Sequence, residues 1–206
     1  MLSVERAIEE FLRNVKVLAA EERPILECLG QVLATDVYAD VNVPQHNNSA
    51  MDGYALQSAD TYGAGLQRPK LLRVIETVAA GHIAKNTVLP GTALRIMTGA
   101  PIPCGSDAVV RFEDTTEMDH PVSSAEIGIF KEMPAGSNIR PAGEDIARGE
   151  KALGSGIIIR PSEVGVLASL GRASVRVIRR PKVAILSTGD EINDITEPLK
   201  SEGSIT

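Results

Sequence analysis

The feature that most restricts this chain is its punctuation. From about Val41 to Gly149, glycine or proline recurs every few residues and the apolar runs between them are short. The runs are Leu71 to Val78, Leu94 to Met97, Ala108 to Phe112 and Ile127 to Phe130. Glycine costs a helix interior about 1 kcal/mol and proline about 3 relative to alanine, so long helices are excluded here. Short apolar runs bounded by turn residues instead predict strands, and together a compact β-rich module.

The flanks are patterned differently. Val4, Ala7, Ile8, Phe11, Leu12 and Val15 fall on one helical face, with Glu5, Arg6, Glu9 and Arg13 opposite, and Ser3 is placed to cap the start. A second short helix is expected from Ile25 to Leu33, weakened by Gly30. Helical spacing returns from Pro161 to Leu170, with Ser162 as its cap, Val164, Val166, Leu167 and Leu170 inward, and Gly171 at its end. Alternation at Ser174 to Ile178 predicts a strand. Lys182 to Leu186 is consecutively apolar from Val183, which predicts a strand covered on both faces of an α/β sheet. After it only residues 187 to 206 remain, too few for the neighbours such a strand needs. The whole is expected to be a multidomain α+β protein.

Composition removes several classes of function. Lys and Arg number 21 against 27 Asp and Glu, a net charge of −6, which argues against general binding to phosphate backbones. Aromatics are 3% with no Trp, so no base-stacking platform is expected. Cys28 and Cys104 form no Cys-x-x-Cys pair and fit a reducing cytoplasm, where the protein is expected to reside. Charged Glu5, Arg6, Glu9 and Glu10 interrupt any secretory leader, and no run approaches the roughly 20 apolar residues of a membrane span.

Four segments carry groups suited to chemistry. Asn47 to Ala55 combines short polar side chains, including Ser49, with the Asp52 carboxylate and Gly53; it suits Mg²⁺ or a polar substrate, and equally an ordinary Asx turn. Arg95 to Pro103 ends a strand at Thr98 in a Gly-Ala-Pro turn whose amides could hold an oxyanion, or simply join two strands. In Asn138 to Ile146, Arg140 suits a phosphate and Glu144 with Asp145 a divalent ion; alternatively Glu144, Asp145 and Arg148 form a surface ion-pair cluster. Ile185 to Glu191 offers Ser187, Thr188, Gly189, Asp190 and Glu191 at the carboxyl end of the expected buried strand, where open α/β sheets bind ligands. His46, His82 and His120 have no acidic partner at a metal-ligand spacing.

In order, Val43-Pro44, Asn48 to Ala55, Arg95 to Ala100, Arg140 to Asp145 and Ser187 to Glu191 resemble the successive signatures of the molybdopterin molybdenumtransferase family, which includes a bacterial cofactor-assembly enzyme and the gephyrin E domain. The resemblance covers essentially the whole chain, and Ser49 to Ala55 is its most specific part. It departs at Gln45, His46 and Asn47, where Pro-Phe-Asp or similar is usual, and at Ser106, where Ala is usual. The resemblance implies insertion of molybdate into adenylylated molybdopterin with release of AMP, assisted by Mg²⁺. By matching motif it assigns catalysis to Asp52, Thr98, Asp145 and Glu191. It assigns cofactor contacts to Ser49, Arg140, Ser187, Gly189 and Asp190, and Mg²⁺ to Asp52 and Glu191.

It also implies an elongated homodimer whose cleft lies between the β-rich domain of one subunit and the α/β domain of the other, with molybdopterin adenylyltransferase as a partner. In that scheme residues 1–21 pack with the α/β domain, 22–40 and 149–179 form the dimerising domain, 41–148 form a β-rich lid, and 180–206 begin a truncated α/β domain. On this basis the chain is expected to be an inactive N-terminal part of the enzyme; the alternative is a non-catalytic dimerising scaffold of the same fold.

Overall fold

The computed structural model describes residues 3–118, 125–189 and Thr196. Helix α1 spans Val4–Asn14, capped as expected by the Ser3 hydroxyl, which accepts from the Arg6 amide at 3.4 Å. Strands follow as β1 (Ala20–Pro24), β2 (Val37–Tyr38), β3 (Asn48–Ser49), β4 (Gly53–Leu56), β5 (Lys70–Val78), β6 (Thr92–Ile96), β7 (Ala108–Arg111), β8 (Glu126–Ile129), β9 (Ile139–Arg140) and β10 (Lys151–Leu153). Helix α2 (Pro161–Ser169) and strand β11 (Ser174–Ile178) complete an α+β fold. No helix among the described residues is long and apolar enough to cross a membrane.

The four apolar runs of the central segment become four strands of one five-stranded mixed sheet, in the order β7-β4-β6-β5-β8. Strand β4 sits between two antiparallel neighbours and is buried along its whole length, as its Gly-Tyr-Ala-Leu sequence permits. The sheet separates two apolar clusters. Tyr54, Leu56, Leu72, Val110, Ile127 and Ile129 lie in one, and Ala55, Val78, Val88, Leu94, Ile96 and Val109 in the other, so successive residues of β4 and β7 face opposite clusters. A third cluster joins the two flanks of the chain: Ile25, Cys28, Leu33 and Val37 from the first, Ile159, Leu167, Leu170, Val175 and Val177 from the second. Fully burying each such side chain contributes about 1.5–3 kcal/mol.

Three expectations are corrected. The helix expected over Ile25 to Leu33 is a single 3-10 turn, Ile25–Glu27. The backbone then leaves helical form because the Gly30 and Leu33 amides donate to Ile159 and Ile157, and β1 instead pairs along its length with β11. The cap of α2 is Arg160: its amide donates at 2.8 Å to Glu163, which reaches back from the first turn, while Ser162 lies inside the helix and its hydroxyl donates to Glu163. The strand expected at Lys182 to Leu186 pairs with nothing among the described residues, and Val183, Ile185 and Leu186 are 76%, 88% and 86% exposed.

The short apolar segments of the two flanks divide between the chain's own core and its surface. Ile25, Leu167 and Leu170 are buried within the chain's own third cluster, whereas Leu26 and Leu29 stay exposed. Helix α1 has the clean stripe expected of it, yet none of its residues is buried.

Candidate functional site

Three of the four motifs meet at one end of the five-stranded sheet. The segment Asn47 to Asp52 is the hub. The Ser49 amide donates to the Ala100 carbonyl at 3.0 Å and the Gly99 amide donates to the Ser49 carbonyl at 2.9 Å, fastening the first motif to the second. On the other side β3 pairs antiparallel with β9, setting Asn48 opposite Arg140, and the Ala50 amide donates to the Asn138 carbonyl at 2.9 Å. The Asn47 side chain accepts the Ala142 amide at 2.8 Å. Val43, next to the cis Val43–Pro44 peptide, accepts the amides of Asp145 and Ile146 through its carbonyl.

At this junction Asp52 and Thr98 are joined directly. Asp52 Oδ1 accepts both the Thr98 amide and the Thr98 hydroxyl, each at 2.7 Å. These two donors, backbone first, with Arg95 adding its charge, hold the Asp52 carboxyl below the usual carboxylate range. Both residues are exposed, so an ionised and oriented carboxylate stands at the surface. Its backbone is fixed from behind. A Cβ on Gly53 would lie 1.9 Å from the Val110 carbonyl oxygen, so only glycine lets β4 and β7 approach here.

Near the pair lies a half-buried ion pair. Arg95 Nη2 donates to Glu117 Oε1 at 2.7 Å and its Nε donates to the same oxygen at 3.1 Å, with both side chains largely shielded from solvent. Tyr54 is buried beside them, its hydroxyl close to Glu117. Burial raises the Tyr54 phenol well above its ordinary value.

The other assigned residues are placed as follows. Ser49 is buried, and its hydroxyl donates to the Met51 carbonyl at 2.6 Å, so it shapes the turn instead of presenting a free hydroxyl. Arg140 donates to Glu144 and to Asp145, each at 2.7 Å, so the ion-pair cluster forms around Arg140 and not around Arg148, whose amide donates to Asn42. The Gly-Ala-Pro turn leaves no amide for an oxyanion: those of Thr98, Gly99 and Ala100 donate to Asp52, Ser49 and Met97. Ser187, Thr188 and Gly189 are exposed and share no hydrogen bond with the other motifs. Asp190 and Glu191, like His120, lie outside the described residues.

Glu117 enters the site unannounced by the sequence, and Asn47 and Asn138, at the edges of two motifs, take roles those motifs did not indicate. Each is an ordinary polar residue in a turn-rich stretch, and only pairing across the sheet makes it part of the junction. A cavity of about 410 Å³ flanks the loop, lined by Met51, Arg111, Lys131 and Asn138 among others.

This junction can be compared with known proteins. Residues 2–171 match the family model described as the MoeA N-terminal region, domains I and II. The chain belongs to this family. Molybdopterin molybdenumtransferase 2 of Mycobacterium tuberculosis is 39% identical over 196 residues, which are 95% of this chain and 46% of that protein. The molybdopterin molybdenumtransferase of Staphylococcus aureus is 35% identical over 199 residues, 97% of this chain and 46% of that protein. The crystal structure of the molybdopterin biosynthesis moeA protein from Pyrococcus horikoshii OT3 superposes with a TM-score of 0.83 at 34% identity, covering 98% of this chain and 52% of that one. The chain thus spans about half the length of the curated relatives it matches. The MoeA match takes in the whole junction of the first three motifs and ends before the fourth.

Proposed function

We propose that this chain supplies Asp52 and Thr98 to the insertion of molybdate into adenylylated molybdopterin, a reaction that releases AMP. The observation that carries the reading is the Asp52–Thr98 contact, an ionised carboxylate fixed by two donors on one oxygen where three family motifs converge. The relatives' names point to transfer of molybdenum to molybdopterin, and the geometry supports Asp52 and Thr98 as the residues that serve it. In this reading Asp145, tethered by Arg140, is a second carboxylate at the same sheet end. Ser187, Gly189, Asp190 and Glu191 contribute by motif alone. Residues 41–148 act as the lid of the site, supported by their separate apolar clusters.

Mg²⁺ fits the donor set in one manner. No group of three His, Cys, Asp or Glu side chains that could hold a metal occurs among the described residues. Asp52 Oδ1 is taken by Thr98, whereas no hydrogen bond to Oδ2 is described. Mg²⁺ commonly binds through one or two carboxylates and completes its octahedron with water and substrate phosphates, so Asp52 would hold it through Oδ2. When bound, the ion would offset the negative charge of phosphate and molybdate against the chain's own −6. Thr98 keeps the carboxylate in one orientation, and because its hydroxyl donates to Asp52 it is not itself an acid.

The test is AMP release from adenylylated molybdopterin with molybdate and Mg²⁺, in a protein of full family length carrying these residues. Asp52→Asn preserves an acceptor for Thr98 but removes the charge. Turnover falls by at least about tenfold, or 1.4 kcal/mol of transition-state stabilisation, with little change in Tm. Wild-type turnover in this variant would leave Asp52 a turn residue and favour the non-catalytic scaffold.

A further inference from the structure

The Asp52–Thr98 contact depends on the relative register of two strands. Asp52 immediately precedes β4, and Thr98 follows β6 by two residues. Within the ladder Gly53 pairs with Ile96, and the next step inward pairs Tyr54 with Arg95. A slip of one residue would turn every side chain of one strand to the opposite face and separate Asp52 from Thr98. Main-chain hydrogen bonds alone do not select a register, since a slipped ladder makes the same bonds.

Apolar burial on both faces favours one register, and the Tyr54 and Arg95 side chains add to it, because both end at the same carboxylate. Glu117 accepts from Arg95 Nη2 at 2.7 Å and from Arg95 Nε at 3.1 and 3.3 Å, and the Tyr54 hydroxyl lies beside the same carboxylate. Tyr54 is 2% exposed, and the Glu117 and Arg95 side chains 9% and 17%. The carboxylate is presented from a turn, Thr116–Met118, that is itself fastened. Its Thr116 hydroxyl accepts the Gly128 amide of β8 at 2.9 Å, and the Glu117 amide donates to the Thr115 hydroxyl at 3.2 Å. Burial by itself would push the Glu117 carboxyl up, but the hydrogen bonds from Arg95 and Tyr54 outweigh it and hold the group below its ordinary value. A half-buried carboxylate held by two guanidinium donors is a rigid joint, and breaking it leaves an uncompensated guanidinium near the site.

We propose that Glu117 is a positioning residue: by holding Arg95 of β6 beside its cross-strand partner Tyr54 of β4, it tightens the pairing that brings Asp52 to Thr98. This role rests on the reading of Asp52 and Thr98 as the working pair, but the contact itself can be followed without activity. In the amide NMR spectrum of this chain, the Thr98 N–H reports directly on its bond to the Asp52 carboxylate. Glu117→Ala moves the Thr98 amide resonance beyond its linewidth, while the amides of Ile159 and Leu167 in the third cluster stay in place. Glu117→Gln, which can still accept from Arg95 or Tyr54, returns it most of the way. In a protein of full family length, Glu117→Ala lowers kcat by about tenfold and leaves KM within about twofold.

A general loss of stability would leave the folded molecules' Thr98 resonance where it was. A wild-type Thr98 position in folded Glu117→Ala therefore overturns the proposal. Should that variant not fold, Tyr54→Phe removes the hydroxyl beside the carboxylate, and the same resonance shifts by less in the same direction; an unmoved resonance there overturns it equally. A shifted Thr98 amide with unchanged AMP release supports the positioning role and refutes the catalytic reading of Asp52 and Thr98.

Discussion

The loops at the sheet end and the segment Ser187 to Gly189 both carry signatures that resemble one family, yet they are built very differently. Every backbone donor of Thr98, Gly99 and Ala100 has a partner, and Gly53 is pressed against Val110 with no room for a methyl group. Ser187 to Gly189 follows an apolar stretch that is exposed and unpaired among the described residues. The two helices repeat the contrast. Helix α1 has the cleaner apolar stripe and buries nothing, whereas α2, less sharply patterned, buries Leu167 and is followed by buried Leu170. A motif acquires geometry from the elements packed behind it, and a stripe acquires burial only from a surface that meets it.

The contrast is broken most directly at Gly53. Gly53→Ala places a methyl 1.9 Å from the Val110 backbone carbonyl of β7, which is held in the ladder with β4 and cannot swing away without breaking it. Denaturant unfolding should show a loss of at least about 3 kcal/mol, the upper range for overpacking. Ser187→Ala in the same chain should change stability by less than about 0.5 kcal/mol. Equal effects at the two positions would remove the distinction between them.

A smaller effect sharpens the comparison of the helices through pH. The Glu163 carboxyl, bonded first by the Arg160 side chain and then by the Arg160 amide, is pushed down to about 2 from an ordinary value of 4.5. A carboxyl lowered on folding stabilises the native state above its unfolded value and loses that contribution as the pH falls through its folded one. Glu163→Gln should therefore lower Tm by a constant amount above about pH 4.5, and the gap should close between pH 4.5 and 2. A gap independent of pH across that window would mean that the capping bonds, and not the charge, carry the effect.

Much of the sheet was legible because its strands are apolar runs between turn residues, and β5 to β8 fall within two residues of those runs. Helix α2 and Gly171 were legible by the same local logic, the glycine adopting φ 71° beyond the helix. Strand β1 was not. Ala-Glu-Glu-Arg-Pro has no alternation, and its extended form is imposed by pairing with β11. The same long-range pairing removed the helix expected after Pro24. Asp52, Thr98 and Asp145 were legible from their motifs, but their joinery was not: Ser49 turned inward, and Arg140 took both neighbouring carboxylates. Glu117 had no signal at all, because nothing local to Thr115 to Met118 says that Arg95 and Tyr54 end there.

If Asp52 and Thr98 act as one unit, a double-mutant cycle on AMP release will show them coupled. Thr98→Val removes the hydroxyl donor and keeps the amide, so it should lower turnover by less than Asp52→Asn does. Once Asp52 is Asn, removing the hydroxyl should cost little more, giving a coupling of at least about 1 kcal/mol between the two positions. Additive losses, with coupling below about 0.3 kcal/mol, would show that the 2.7 Å contacts hold a turn together and play no joint part in the chemistry.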